Sequence, residues 1–220
     1  MSCPFQLVCL LLFSSALACS QTEAPAPAAI TFTLDFPNSQ PEHYSIRVQS
    51  DGSGRYQSSG RLSADSSETD SFDLNFTVTA ETQQKIFDLA AKAGYFRKDV
   101  DSHHKGLAFT GKKTLSYKDA QRSGESVYNY SSNPAVQELT SLMQNLSSTL
   151  EFGHRLQYDH QYQKLALDEE LRHMEEMARS NQLVEVTAIQ PILDQIIADQ
   201  SVINITRARA QRLLERAGVH

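Results

Sequence analysis

The side chains of this sequence that could do chemistry are scattered, and each group lacks a part. Glu170 and His173 form a Glu-x-x-His pair. On a helix that spacing puts both on one face, and two such pairs with further glutamates build a di-iron carboxylate centre. The second pair is missing, so Glu170 and His173 read as part of a charged, solvated helix face. Asp99 and Asp101 in DVDSHHKG raise calcium. An EF-hand loop then requires Gly at its sixth place and Glu at its twelfth, where this chain has His104 and Thr110. His103 and His104 are neighbours that could touch a transition metal, and they read as a polar surface loop. His154, Asp159 and His160 share one helical stretch. His160 falls on its apolar stripe, as a buried, hydrogen-bonded histidine would, rather than a general base.

A nucleophile is also missing. There is no G-x-S-x-G elbow, phosphate loop or dinucleotide fingerprint. The only cysteines are Cys3, Cys9 and Cys19, so no thiol lies beyond residue 19. No catalytic residue, cofactor site or metal site is assigned, and folding is expected to need no metal. Asn75, Asn129, Asn145 and Asn204 begin N-x-S/T sequons, which read as mostly accidental in a Ser- and Thr-rich chain.

The elements that would position these residues fit in 220 residues, enough for one medium domain or two small ones. The formal net charge of −6 excludes nucleic acid as a partner, because such binding needs a basic field. Leu7 to Ala18, LVCLLLFSSALA, is too short for the roughly 20 residues of a membrane span. It reads as the core of a signal peptide over 1–18, although MSCPFQ carries no Lys or Arg.

Cys19 follows A-L-A, and the four residues resemble a bacterial lipobox. The resemblance implies lipidation of Cys19 and anchoring to a membrane through an N-terminal lipid. It departs from the usual pattern at Ala16 and Leu17. The alternative is a simple A-x-A cut beside an incidental cysteine. Ser20 after the cysteine implies, by the same resemblance, the outer membrane where one exists. Residues 19–29 then form a Pro/Ala tether that favours polyproline II and reaches roughly 30 Å.

From Ile30 apolar residues alternate strictly: Ile30, Phe32, Leu34 and Phe36, then Tyr44, Ile46 and Val48. Asp51-Gly52 signals a hairpin into RYQSSGRL, and Phe72, Leu74, Phe76 and Val78 form the clearest strand. Thr79 caps a helix carrying Ile86, Phe87, Leu89, Ala90 and Ala93; Gly94 takes its left-handed end, with Tyr95 folding back on it. KKTLSYK and ESVYNYS make a second hairpin.

YSIRVQSDGSGRY, then a strand, a helix ending AGYF and a Thr-Leu-x-Tyr strand, resembles bacterial exported proteins and lipoproteins of unknown function. That resemblance implies fold and export and names no activity.

After residue 131 strand signals stop. Asn133-Pro134 opens a helix with Val136, Leu139, Leu142, Met143 and Leu146, which Gly153 ends or bends. A second helix is expected from near His154 to Arg179, with Glu169, Glu170, Glu175, Glu176 and Arg172 largely outside. A third contains Val186, Ile189, Leu193, Ile196 and Ile197, with Pro191 starting or kinking it. A last one, with Ile205, Ala208, Leu213 and Leu214, carries Arg207, Arg209, Arg212 and Arg216. QPILDQIIADQ…RARAQRLL faintly resembles one HEAT-type hairpin, without a repeat.

The fold class read here is α+β: an antiparallel sheet packed by one helix over 30–131, then an all-helical region over 132–220 whose helices also pack partly on the sheet. The function expected is an exported, lipid-anchored envelope protein, in the outer membrane or periplasm, with a non-catalytic binding or structural role. A protein partner would use the helical region. The alternative is an exported hydrolase-like or metal-dependent enzyme with dispersed residues, which a pocket gathering Asp101, His103 or His104 would favour.

Overall fold

The computed structural model describes residues 26–61 and 69–218. The signal segment, Cys19, most of the tether and part of the polar loop before Phe72 lie outside the described residues. Six strands, β1 (Ala29–Asp35), β2 (His43–Gln49), β3 (Ser53–Arg61), β4 (Thr69–Thr77), β5 (Lys112–Lys118) and β6 (Ser123–Tyr128), form one antiparallel sheet. The order is β4-β3-β2-β1-β5-β6. Central β1 pairs with β2 and β5 at once, so Phe32 stands opposite both Ile46 and Leu115. Alternation divides the sheet into two faces. Ile30, Phe32, Ile46, Tyr56 and Leu115 are fully buried on one of them. The other carries solvated pairs such as Arg55 with Asp73. Gly52, at φ +85°, makes the first hairpin, and its N–H donates to the Gln49 carbonyl.

Helix α1 (Ala80–Lys92) begins at Thr79, whose hydroxyl accepts the Thr82 N–H. Gly94 has the expected left-handed backbone, at φ +68°. The residue buried beyond it is Phe96, whereas Tyr95 lies 4.6 Å from the Tyr117 ring with Arg122 over its face. Tyr95 and Phe96 are themselves left-handed, and Tyr95 lies against Tyr117 of β5.

Helix α2 (Pro134–Tyr162) starts at the Asn133 cap and runs unbroken for 29 residues. Gly153 does not end it, contrary to one of the two expectations. A glycine weakens a helix by about 1 kcal/mol, which tertiary packing outweighs here. The glycine admits Ile189, whose Cγ2 lies 2.4 Å from where a Cβ would stand. The chain breaks at 163–166 instead, so α3 is Leu167–Arg179 and does not begin at His154.

A 3-10 turn (Val186–Ile189) leads into α4 (Gln190–Ala198), with Pro191 in its first turn, and α5 (Asn204–Arg216) closes the chain. On α5 the buried residues are Thr206, Ala210, Leu213 and Leu214, while Ile205 and Ala208 face solvent. Helix α5 packs against both α3 and α4; Ala210, Leu213 and Leu214 are its buried apolar stripe, and the two earlier apolar residues lie off it. Glu175 also departs from expectation, since it is buried. Arg209 and Arg212 reach its two oxygens at 2.5 and 2.8 Å. Burial raises its pKa, but the two guanidiniums outweigh that and hold it below the ordinary range.

The protein is α+β, with its helices mainly C-terminal. Helices α1 and α2 both lie against the sheet, and one buried cluster runs from Ile30 on β1 to Leu214 on α5.

Candidate functional site

At roughly 44 Å, α2 is longer than the sheet is wide. Its first turns meet β6, where the Tyr128 and Thr140 hydroxyls are 2.5 Å apart. Its middle meets β3 at Tyr56, and His154 further along it meets β4 at Phe72. A cleft of about 720 Å³ opens there, between the end of β3, the start of β4 and the C-terminal turns of α2.

Ser147, Glu151 and His154 follow one another at helical spacing and face the sheet. Tyr56 donates its hydroxyl to Glu151 Oε1 at 2.7 Å, and Ser58 donates to the same oxygen at 2.6 Å. Burial raises the Glu151 pKa, yet the hydrogen bonds from His154, Ser58 and Tyr56 outweigh it and hold the carboxyl below its ordinary range. The Tyr56 phenol is pushed far up, first by burial and then by the charge of Glu151. The proton stays on tyrosine and the charge on glutamate.

The His154 ring stacks on Phe72, centroids 4.2 Å apart and planes 5° from parallel. Its Nε2 is 3.6 Å from Asp70 and its Nδ1 3.8 Å from Glu151. The imidazole is therefore clamped across its face and held between two carboxylates. Ser58, the hydroxyl beside it, already donates to Glu151.

Deeper along α2, Arg155 lies over the Phe152 ring at 4.5 Å and reaches Glu170 at 3.2 Å. Asp159 differs from every other acid in the cleft. It is only 8% exposed, and among the described residues no N–H or O–H donates to its carboxylate. Burial pushes its pKa up, Glu170 adds to that, and Arg155 opposes. Tyr158 beside it is half-exposed and lines the same cleft.

Of the residues singled out from sequence, His154, Asp159 and Glu170 line this cleft, and the others lie away from it. Glu170 engages Arg155, while His173 meets the edge of Phe152 at 5.3 Å. Asp101 is a turn-forming residue, accepting the N–H groups of His103 and Asn129, and His103 pairs with Asp99 at 2.7 Å. His160 is half-buried against Asp199 at 3.0 Å, where Lys164 also binds. Lys164 foremost holds Asp199 well below the carboxylate range. The members that sequence reasoning missed are Asp70, Phe72, Ser58 and Glu151. Phe72 reads from sequence only as part of a strand, and Ser58 and Asp70 lie some eighty residues or more before Glu151 along the chain. The available signal was polar Ser147, Glu151 and His154 recurring on the inner face of an amphipathic helix.

A second cleft, of about 420 Å³, borders Lys113. This lysine is nearly fully buried, and its ammonium donates to the Thr110, Gly111 and Asn129 carbonyls. Burial lowers its pKa. It ties the loop before β5 to the end of β6.

Among the described residues no three His, Cys, Asp or Glu side chains form a group placed to hold a metal, and no helix is long and apolar enough to cross a membrane. No protein-family model matches the chain, and no curated protein matches it significantly.

Proposed function

We propose that the protein is an exported, lipid-anchored envelope protein with a non-catalytic binding role, and that the cleft at His154 is its binding site. The observation that supports this is the state of the groups lining the cleft. Glu151 accepts two hydroxyls, Ser58 is one of its donors, and His154 is stacked and flanked by acids. Rigid, internally engaged groups make a shaped surface, whereas catalysis requires a base with a free edge toward a nucleophile. At about 720 Å³ the cleft has the size of a small-molecule site. Anchoring rests on Cys19 after A-L-A, with the tether behind it. Half-exposed Tyr158, Tyr162 and Ile205 and the 88% exposed Leu165 favour a protein partner on the helical side.

Two measurements test the proposal. Made in a bacterial host, the protein should enter the detergent phase, and Cys19→Ala should remain aqueous. Aqueous partitioning of both, with an unmodified N-terminal peptide by mass spectrometry, removes the anchor. Pools of cationic, anionic and neutral small molecules should include one that shifts the His154 ring resonances. Silence from every pool removes the cleft.

A further inference from the structure

We infer that the ligand of this cleft is an organic ammonium group, received by the carboxylate of Asp159. This rests on the reading of the cleft as a binding site. Four carboxylates line it (Asp70, Glu151, Asp159 and Glu170) against two arginines, Arg61 and Arg155. Both arginines already hold glutamates, Arg61 on Glu42 and Arg155 on Glu170. An acidic lining alone would be an ordinary solvated surface.

Asp159 makes it more than that. The residue is 8% exposed, and since its carboxylate oxygens are not sealed from solvent, the cleft it lines is where they are reached. Glu175 and Glu151, by contrast, are occupied by protein donors, two guanidiniums on the first and two hydroxyls on the second. Asp159 takes no donor from the described residues, and it lines the open cleft, so a ligand's donor would reach it from there. The partner must donate hydrogen bonds and carry positive charge, since Glu170 adds to the negative field at this point and Arg155 is drawn toward Glu170.

A bare metal ion does not fit, because a hard cation requires several oxygens converging on one point. No three acids among the described residues are placed to do so. An ammonium on a carbon chain needs one good acceptor and an apolar wall. Tyr158 and the Phe72–His154 stack supply the wall, and an aromatic face also attracts a cation. Such a group comes from a free diamine or from the lysine side chain of a polypeptide.

The purified full-length protein is titrated with 1,5-diaminopentane and with acetyl-Ala-Lys-Ala-amide, following the His154 and Phe72 ring resonances. Controls are 1,5-pentanediol and glutarate, and the same series is run on Asp159→Asn. At least one amine should bind, with affinity reduced tenfold or more in Asp159→Asn, while diol and glutarate leave the rings unmoved. Tighter binding of the diamine identifies a free amine as the source, and tighter binding of the peptide identifies a lysine side chain. If the diol or glutarate shifts the rings as strongly as the amines, or Asp159→Asn binds amines unchanged, the ammonium assignment is overturned and the cleft remains a site. If no probe of any charge moves the rings, both fall. Melting curves guard against misfolding, and Asp159→Glu, which keeps the charge, should retain amine binding within a few-fold.

Discussion

At the scale of single residues the cleft contains two opposite uses of a buried acid, and acid titration separates them. Glu151 and Glu175 have pKa values held down by their partners. Their stabilising contribution is complete above the ordinary carboxylate range and is lost as pH falls through their lowered values. Asp159 has the reverse sign. Its raised pKa means the native state binds its proton more tightly than the unfolded chain, so it destabilises the fold at neutral pH. That penalty fades as pH drops through the raised value toward 3.8. Asp159→Asn is therefore expected to stabilise the protein by about 1 kcal/mol at pH 7, near 3 °C in melting temperature, with the gain vanishing in acid. Subtracting the two stability–pH curves isolates this group, and a constant difference across pH would refute the assignment. Glu151→Ala acts the other way. It leaves Ser58 without an acceptor and Tyr56 with Ser147 alone, for a loss of about 2–3 kcal/mol. Combining it with Tyr56→Phe should lose less than the sum, because both changes remove the same hydrogen bond. Denaturant unfolding of the four proteins checks this.

At the scale of elements, α2 is where local signals and tertiary packing disagree. Gly153 is a reasonable place to end a helix on propensity alone. It persists because Ile189, from the turn before α4, lies where a side chain would have to go. Gly153→Ala should therefore destabilise, although alanine is the better helix former. The expected loss is about 1–3 kcal/mol from overpacking, partly recovered when Ile189→Ala removes the clashing methyl. A stabilised Gly153→Ala protein in thermal melts would show the contact to be loose.

The same helix shows what could be read in the sequence. The strands of the sheet, the Thr79 and Asn133 caps and the Gly52 turn are written in local patterns, and the fold has them; Pro191 fits either a start or a kink, and the fold uses it in the first turn of α4. The break at 163–166 carries no Gly or Pro, and the burial of Glu175 depends on two arginines over thirty residues away. The cleft was illegible for that reason. Tyr56 and Glu151, 95 residues apart, meet only because a 29-residue helix crosses a sheet whose order no local pattern states.

At the scale of the whole molecule the question is whether residues 30–131 and 132–220 behave as two bodies or one. The sheet has a single apolar face, and α1 covers only part of it, packing on β1 and α2. The middle of that face, at Tyr44 and Tyr56, lies under α2, where Tyr56 meets Ser147 and Glu151. Removing the helical part would uncover large aromatic side chains, each worth roughly 1.5–3 kcal/mol of burial, and strand two buried hydroxyls. Net stabilities of domains this size are only about 5–15 kcal/mol, so neither fragment is expected to hold its structure alone. The intact chain should melt in one transition, with tyrosine near-UV and far-UV circular dichroism falling together. A 30–131 fragment should aggregate or show no cooperative melt, and adding 132–220 in trans should restore solubility. Two separated transitions in the intact chain, or a soluble 30–131 fragment with a sharp melt of its own, would show that the helices sit on a sheet domain already complete without them.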